Sequence, residues 1–200
     1  MSTAVQAVYE SLIEGLVSQD FAVSEQFLEP EPVAALRANL ERHYADRELR
    51  PAGIGNQHLL REDHTVRGDA ILWLESDSIN PAEQAFFQRM REFIDYLNMT
   101  CYAGIRGFEF HYALYPVGAF YKRHLDQFRG DQRRKYSFIL YLNENWQPAD
   151  GGQLVLYLDG EQREVLPIGG RCVFFKSDEI EHEVLPAHRA RMSVTGWLKI

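Results

Sequence analysis

From residue 107 the chain becomes a succession of short aromatic or β-branched runs: "FEFHYALY", "KYSFILYLN", "GQLVLYL", "REVLPI", "RCVFF", "EHEVLP" and "MSVTGWLKI". Between them stand the turn formers "PVG", "NEN", "PADGG", "DG", "GG" and "KSDE". Turn signals at about 8–12-residue spacing predict seven or eight strands, which suggests a sandwich or jelly roll.

The first half reads differently. "TAVQAVYESLIEGLVSQ" puts Val5, Val8, Leu12, Ile13 and Leu16 on one helical stripe, and "FAVSEQFL" follows as a short strand. "EPVAALRANLERHYADREL" forms a second helix with prolines at its entry and Val33, Leu36 and Leu40 facing inward. A third, "PAEQAFFQRMREFIDYLNMT", begins at Pro81 behind Asn80, a side chain suited to capping the first turn. Between helices two and three, "RPAGIGNQHLLREDHTVRGDAILWLE" reads as a loop or hairpin running into the strand "AILWLE", and so long a polar insertion suggests a functional flap. The expected architecture is α+β: residues 1–106 as a helical support region with a covering loop at about 50–69, and residues 107–200 as the β core of the same structural domain.

Charge and composition exclude several roles. A formal net charge of −8 does not suit a protein that tracks nucleic-acid phosphates or an anionic membrane surface. The two cysteines, Cys101 and Cys172, make neither a disulfide framework nor a paired-cysteine zinc motif. "MSTAVQAVYESLIEGL" has no basic start, carries Glu10 and Glu14, and reads as neither signal peptide nor membrane span. A cytoplasmic monomer is the expectation.

Within the β region, "YKRHLDQF" holds His124 and Asp126 two positions apart, and strand alternation would send both to one face with Leu125 opposite. A third ligand must come from a late strand. His182 in "EIEHEVLP" stands at a strand start, 58 residues beyond His124 and room enough for four intervening strands; His188 sits in a polar turn and is assigned to the surface. Two histidines and a carboxylate leave three coordination positions open, the facial arrangement of non-haem iron(II) oxygenases; zinc could use the same donors. In the last strand Arg191, Ser193 and Thr195 share a face. An arginine turned into a barrel must meet an anion, and its fork beside a serine hydroxyl suits a carboxylate.

"YPVGAFYKRHLD", "KYSFILYLNENW", "DGGQLVLY" and "EHEVLPAHRARMSVTGWL" occur in that order, and residues 107 to 198, which contain them, resemble the iron- and 2-oxoglutarate-dependent prolyl 4-hydroxylase family. "VRGDAILWLE" extends the likeness toward the oxygen-sensing prolyl hydroxylases and their bacterial relatives. The resemblance implies a double-stranded β-helix, the cupin-like jelly roll. It implies Fe(II) held by His124, Asp126 and His182, and 2-oxoglutarate whose distal carboxylate meets Arg191, assisted by the Tyr141 hydroxyl and by Ser193. Tyr115 would line the cosubstrate pocket, although the turn from it to His124 is a residue shorter than in the animal enzymes. Dioxygen would be the oxidant and L-ascorbate the reductant.

The implied reaction is 4-hydroxylation of a prolyl residue in a protein or peptide, with release of succinate and carbon dioxide; a translation GTPase such as elongation factor Tu is a candidate substrate. The tripeptide Arg67-Gly68-Asp69 is read as the end of the substrate-covering loop, not as a cell-adhesion signal. The same chemistry on a lysyl residue, a free amino acid, an alkylated base or another small molecule is the alternative. A non-catalytic jelly-roll binding module would have lost a ligand or the arginine, and a halogenase would lack Asp126.

Overall fold

The computed structural model describes residues 2–53, 65–127 and 132–200. Among these residues the three α-helices, α1 (Thr3–Gln19), α2 (Pro30–Ala45) and α3 (Pro81–Cys101), all lie before residue 102. Interleaved with them are β1 (Phe21–Ser24), β2 (Arg50–Pro51) and β3 (Ala70–Trp73). Eight strands follow: β4 (Gly107–Tyr115), β5 (Tyr121–His124), β6 (Arg134–Tyr141), β7 (Leu154–Leu158), β8 (Glu161–Val165), β9 (Cys172–Lys176), β10 (Glu181–Val184) and β11 (Arg191–Lys199).

The strands form two antiparallel sheets. The larger has the order β1-β9-β6-β11-β4-β3-β2 and the smaller β5-β10-β7-β8. The eight later strands are shared equally between the sheets, which is the double-stranded β-helix that the family resemblance implied. Residues 1–106 do more than support it: β1 extends one edge of the large sheet and β3 with β2 the other. Strand β1 is also shorter than "FAVSEQFL" suggested. The Ser24 hydroxyl accepts from the Gln26 backbone N–H at 3.2 Å and turns the chain, so Phe27 and Leu28 enter the core from a bend.

Alternation along the large sheet creates two cores. Phe110, Tyr112, Phe138, Leu140, Phe174 and Val194 point outward against the helices. Ala113, Tyr115, Ile139, Tyr141, Val173 and Phe175 point inward against Leu154, Leu156 and Val184 of the small sheet. On the helical side Phe93 of α3 meets Phe27, Tyr9 and Phe174 with ring centroids 5.0 to 5.7 Å apart. The Asn80 side chain caps α3 by accepting from the N–H groups of Ala82 and Glu83. A buried polar knot ties this layer down, since Asn39 of α2 and the Tyr112 hydroxyl of β4 both donate to the Glu83 carboxylate of α3. No described helix is long and apolar enough to cross a membrane.

Phe93 is fully buried, so Phe93→Ala should cost about 3–5 kcal/mol, transfer and cavity together. Urea denaturation followed by circular dichroism measures it, and a loss below about 1 kcal/mol would mean that this face does not hold α3 to the sheet.

Candidate metal centre and anion pocket

The small sheet brings the metal-ligand candidates together. Strand β5 pairs antiparallel with β10 so that His124 lies directly opposite His182. Their ring centroids are 4.3 Å apart. Asp126 reaches both: its Oδ1 lies 3.4 Å from His124 Nε2 and its Oδ2 3.5 Å from His182 Nε2. One donor atom from each of the three lies within 4.8 Å of the others. The arrangement does not rest on strand alternation, because β5 ends at His124 and Asp126 stands in the bend beyond it. Leu125 is correspondingly at the surface, 39% exposed, and not in the opposite layer. His188 is exposed in its turn.

Each imidazole is aimed from behind. His124 Nδ1 is bound to the Lys122 carbonyl at 2.7 Å and His182 Nδ1 to the Ile180 carbonyl at 3.2 Å, so both Nε2 atoms face the carboxylate with a lone pair to give. Tyr121 stacks on His124 at 3.5 Å between centroids, and Phe175 meets His182 edge-on at 4.8 Å. Burial pushes the His182 imidazole down to about 4, against the attraction of Asp126, which favours its neutral, ligating form. Burial alone would raise the Asp126 carboxyl, but the two imidazoles and the Ser137 hydroxyl hold it well below the usual carboxylate range. Ser137 donates to Asp126 Oδ2 at 2.7 Å and is itself paired with Ser177 at 2.8 Å. This donor set, with fixed tautomers and a buried charge-offsetting carboxylate, fits a divalent iron.

The anion pocket is built on the large sheet. Arg191 lies across from Tyr115, and Tyr141 lies beside Ser193 on the other flank of β11. The guanidinium carbon sits 5.1 Å from the Tyr115 ring centre and 4.9 Å from that of Tyr141. Arg191 is only 2% exposed, its Nε donates to the Gly152 carbonyl at 2.9 Å, and no carboxylate pairs with it among the described residues. Its Nη2 and the Tyr141 hydroxyl are buried without a hydrogen-bond partner among the described residues. Leaving such donors unsatisfied costs on the order of 1–3 kcal/mol each, more for a charged group, so the pair fits the distal carboxylate of 2-oxoglutarate. Ser193 is on the same face, but its hydroxyl is paired with Thr195 at 3.0 Å.

One cavity of about 770 Å³ is lined by the metal triad together with Tyr115, Tyr121 and Arg191. The tripeptide at 67–69 borders it. Arg67 grips the buried Asp69 through two hydrogen bonds of 2.7 and 2.6 Å and stacks over Tyr121 at 4.2 Å. Backbone bonds from Gly68 to Phe120 and from Lys122 to Val66 fasten this segment to β5, and an Asp69 this buried is not available to an adhesion receptor. The covering loop expected at 50–69 lies in large part, residues 54–64, outside the described residues; its ends are the β2–β3 pair.

Sequence reasoning missed Ser137, Tyr121 and the Arg67–Asp69 clasp. Ser137 is the one small hydroxyl of its strand, on the face of Ile139 and Tyr141, and that parity was the available signal.

Comparison with known proteins bears on the same residues. A profile of the 2OG-Fe(II) oxygenase superfamily matches residues 110–199. The chain is 32% identical over 143 residues to Egl nine homolog 1 of Homo sapiens, a match covering 66% of this chain and 33% of that protein. It thus spans about a third of the length of the curated relatives it matches. Among solved structures, a Pseudomonas putida prolyl-4-hydroxylase is 41% identical with a TM-score of 0.86, covering 96% of this chain and 98% of that one. A prolyl hydroxylase in complex with a hypoxia inducible factor oxygen degradation domain peptide fragment, from Trichoplax adhaerens, shares the fold at 24% identity and a TM-score of 0.84, covering 100% of this chain and 94% of that one.

Ser137→Ala should weaken Fe(II) binding by about tenfold to a hundredfold, since the serine steers a ligating carboxylate. Anaerobic titration with Fe(II), or with Mn(II) followed by electron spin resonance, checks this; an unchanged affinity would make the hydroxyl a matter of packing alone.

Proposed function

This chain belongs to the 2OG-Fe(II) oxygenase superfamily, and we propose that it works as a prolyl 4-hydroxylase acting on a proline within a protein or peptide. The observation that carries the cosubstrate half of this reading is the buried Arg191 fork, with Nη2 unpartnered beside the unpartnered Tyr141 hydroxyl, in the cavity that holds the His124–Asp126–His182 triad. The substrate half rests on the near full-length similarity to the Pseudomonas putida prolyl-4-hydroxylase.

When bound, iron and 2-oxoglutarate supply the oxidising chemistry: dioxygen is consumed, 2-oxoglutarate leaves as succinate and carbon dioxide, and one oxygen atom enters the substrate C–H bond. The chain's own part is to hold and exclude. His124 and His182 present Nε2, Asp126 offsets two positive charges with one negative, and Ser137 keeps that carboxylate turned inward. Arg191 and Tyr141 take the distal carboxylate, while Tyr115 walls the pocket beside them. Tyr121 and Phe175 pack on the imidazoles and keep bulk water from their faces. Ser193 stands on the face of Arg191 with its hydroxyl paired to that of Thr195.

The substrate would approach across the open side of the cavity, past Trp73 and Leu125, both partly exposed. The Trichoplax adhaerens prolyl hydroxylase is described in complex with a peptide fragment, and an extended peptide entering the cavity by this route is the analogous partner here; elongation factor Tu is the candidate protein. L-ascorbate would keep the iron reduced between turnovers. The reading places a monomeric enzyme in the cytoplasm.

Incubating a cell lysate with the enzyme, Fe(II), ascorbate and 2-oxoglutarate, then searching by mass spectrometry for one added oxygen, should find the mark on proline; oxygen gained on lysine alone would move the assignment to a different substrate class. The cosubstrate role of Arg191 has its own test. Removing one partner of a buried bidentate pair costs ~3–5 kcal/mol, or roughly a hundredfold to a few thousandfold in affinity. Arg191→Ala should therefore bind 2-oxoglutarate that much more weakly, and Arg191→Lys, which keeps the charge but loses the fork, should fall between it and the native protein. Anaerobic calorimetry of the Fe(II)-loaded proteins measures both. Binding by Arg191→Ala within about threefold of native would reduce the arginine to a structural residue.

A further inference from the structure

Arg191 is held in place by a turn that no metal or cosubstrate ligand occupies. Its Nε–H is committed to the carbonyl of Gly152, so the plane of the guanidinium is fixed by the backbone before any ligand arrives. Gly152 has φ +68, a left-handed conformation that side chains rarely adopt. A Cβ at this position would sit 2.9 Å from Ala187 Cβ, 3.2 Å from Arg191 Cδ and 3.3 Å from the Trp146 ring. The glycine is thus required twice, once for the direction of its carbonyl and once for the space through which the arginine stem passes.

The surrounding turn is stitched down. Gly152 N–H donates to Pro186 O at 3.0 Å, Trp146 Nε1 donates to Gly151 O at 3.0 Å, and Gly151 bridges to Ala187. On the outside Arg189 pairs with Asp150 at 3.1 Å and lies over the Trp146 ring at 5.2 Å. The turn between β6 and β7 is therefore fastened to the segment that leads directly into Arg191.

We propose that Gly152 is a positioning residue for the cosubstrate: its carbonyl clamps Arg191 Nε and its bare Cα clears the stem, so that Nη2 is presented, ready oriented, to the distal carboxylate. The proposal rests on the cosubstrate reading of Arg191 given above. The side chains nearest to Gly152 are Ala187, Arg191 and Trp146, none of them a metal ligand, and it acts through the arginine.

The test is a double-mutant cycle read by anaerobic calorimetry, with 2-oxoglutarate titrated into the Fe(II)-loaded native protein, Gly152→Ala, Arg191→Ala and the double variant. Pressing the arginine stem off its preferred rotamer should weaken 2-oxoglutarate binding about tenfold in Gly152→Ala. Fe(II) affinity should be unchanged, and the double variant should bind no more weakly than Arg191→Ala alone. A second form, Gly152→Ala with Ala187→Gly, removes the 2.9 Å contact and keeps the 3.2 Å contact with Arg191; it guards against a fold too strained to study and should remain weakened. The proposal is overturned if Gly152→Ala binds within twofold of native, if its effect is as large without Arg191, if Fe(II) affinity falls in parallel, or if Ala187→Gly restores binding. Should Arg191→Ala itself bind like the native protein, the cosubstrate reading fails first and takes the proposal with it, a result separable from all the others.

Discussion

Asp126 is a carboxylate taken out of water and held against two imidazoles and a serine hydroxyl. Desolvating an anion is among the costliest things a fold can do, and a divalent cation repays it most directly. The rest of the molecule follows from presenting that anion correctly. Strands β5 and β10 must be neighbours for the histidines to face one another, so the small sheet must close over the large one. The large sheet must in turn offer a polar interior face in its middle strands, where Ser137, Tyr141, Ser193 and Arg191 stand among Ile139, Val173 and Phe175. That polar stripe weakens the inter-sheet core. The helices compensate from the other side, where the same strands turn an unbroken apolar face to Phe86, Met90 and Phe93.

The two faces of one sheet therefore have different work. The outer face is dry and aromatic and supplies stability; the inner face gives up packing to hold charge. Gly196 marks how closely the outer face is filled, since a Cβ there would lie 2.3 Å from the ring of Phe110 across the strand pair. On the inner face the concession is visible in Arg191 Nη2 and the Tyr141 hydroxyl, left without partners. A protein gains nothing in stability from such groups, and their retention in a desolvated pocket is what sites that bind charged ligands share.

Much of this was legible in the residues. Period-2 runs broken by turn formers specify strands by local chemistry, and the helix ending before Tyr102 was marked at its start by Asn80 and Pro81. The triad was legible as a set of residue types, but not for the geometrical reason first offered: alternation along a strand cannot join His124 to Asp126 when the strand stops at His124. What joins them is a bend, and bends depend on contacts such as Ser137 to Asp126 that unite positions distant in sequence. Ser193 shows the complementary limit. Its face was foreseeable, whereas the hydrogen bond to Thr195 that occupies its hydroxyl depends on a rotamer. Of the strands that residues 1–106 contribute to the edges of the large sheet, the two of four residues were announced by "FAVSEQFL" and "AILWLE", whereas Arg50–Pro51, only two residues long, is too short for any pattern to announce.

The clasp between Arg67 and Asp69 and the ladder between β2 and β3 pin the chain on both sides of residues 54–64, which lie outside the described residues. Once the ends of a loop are pinned, its length enters the free energy only logarithmically, so doubling it costs about 0.6 kcal/mol. The fold therefore depends on the two anchors and only weakly on how long a chain joins them. A lineage, or an engineer, can thus vary the length of chain joining the two anchors while the triad beside them stays as it is.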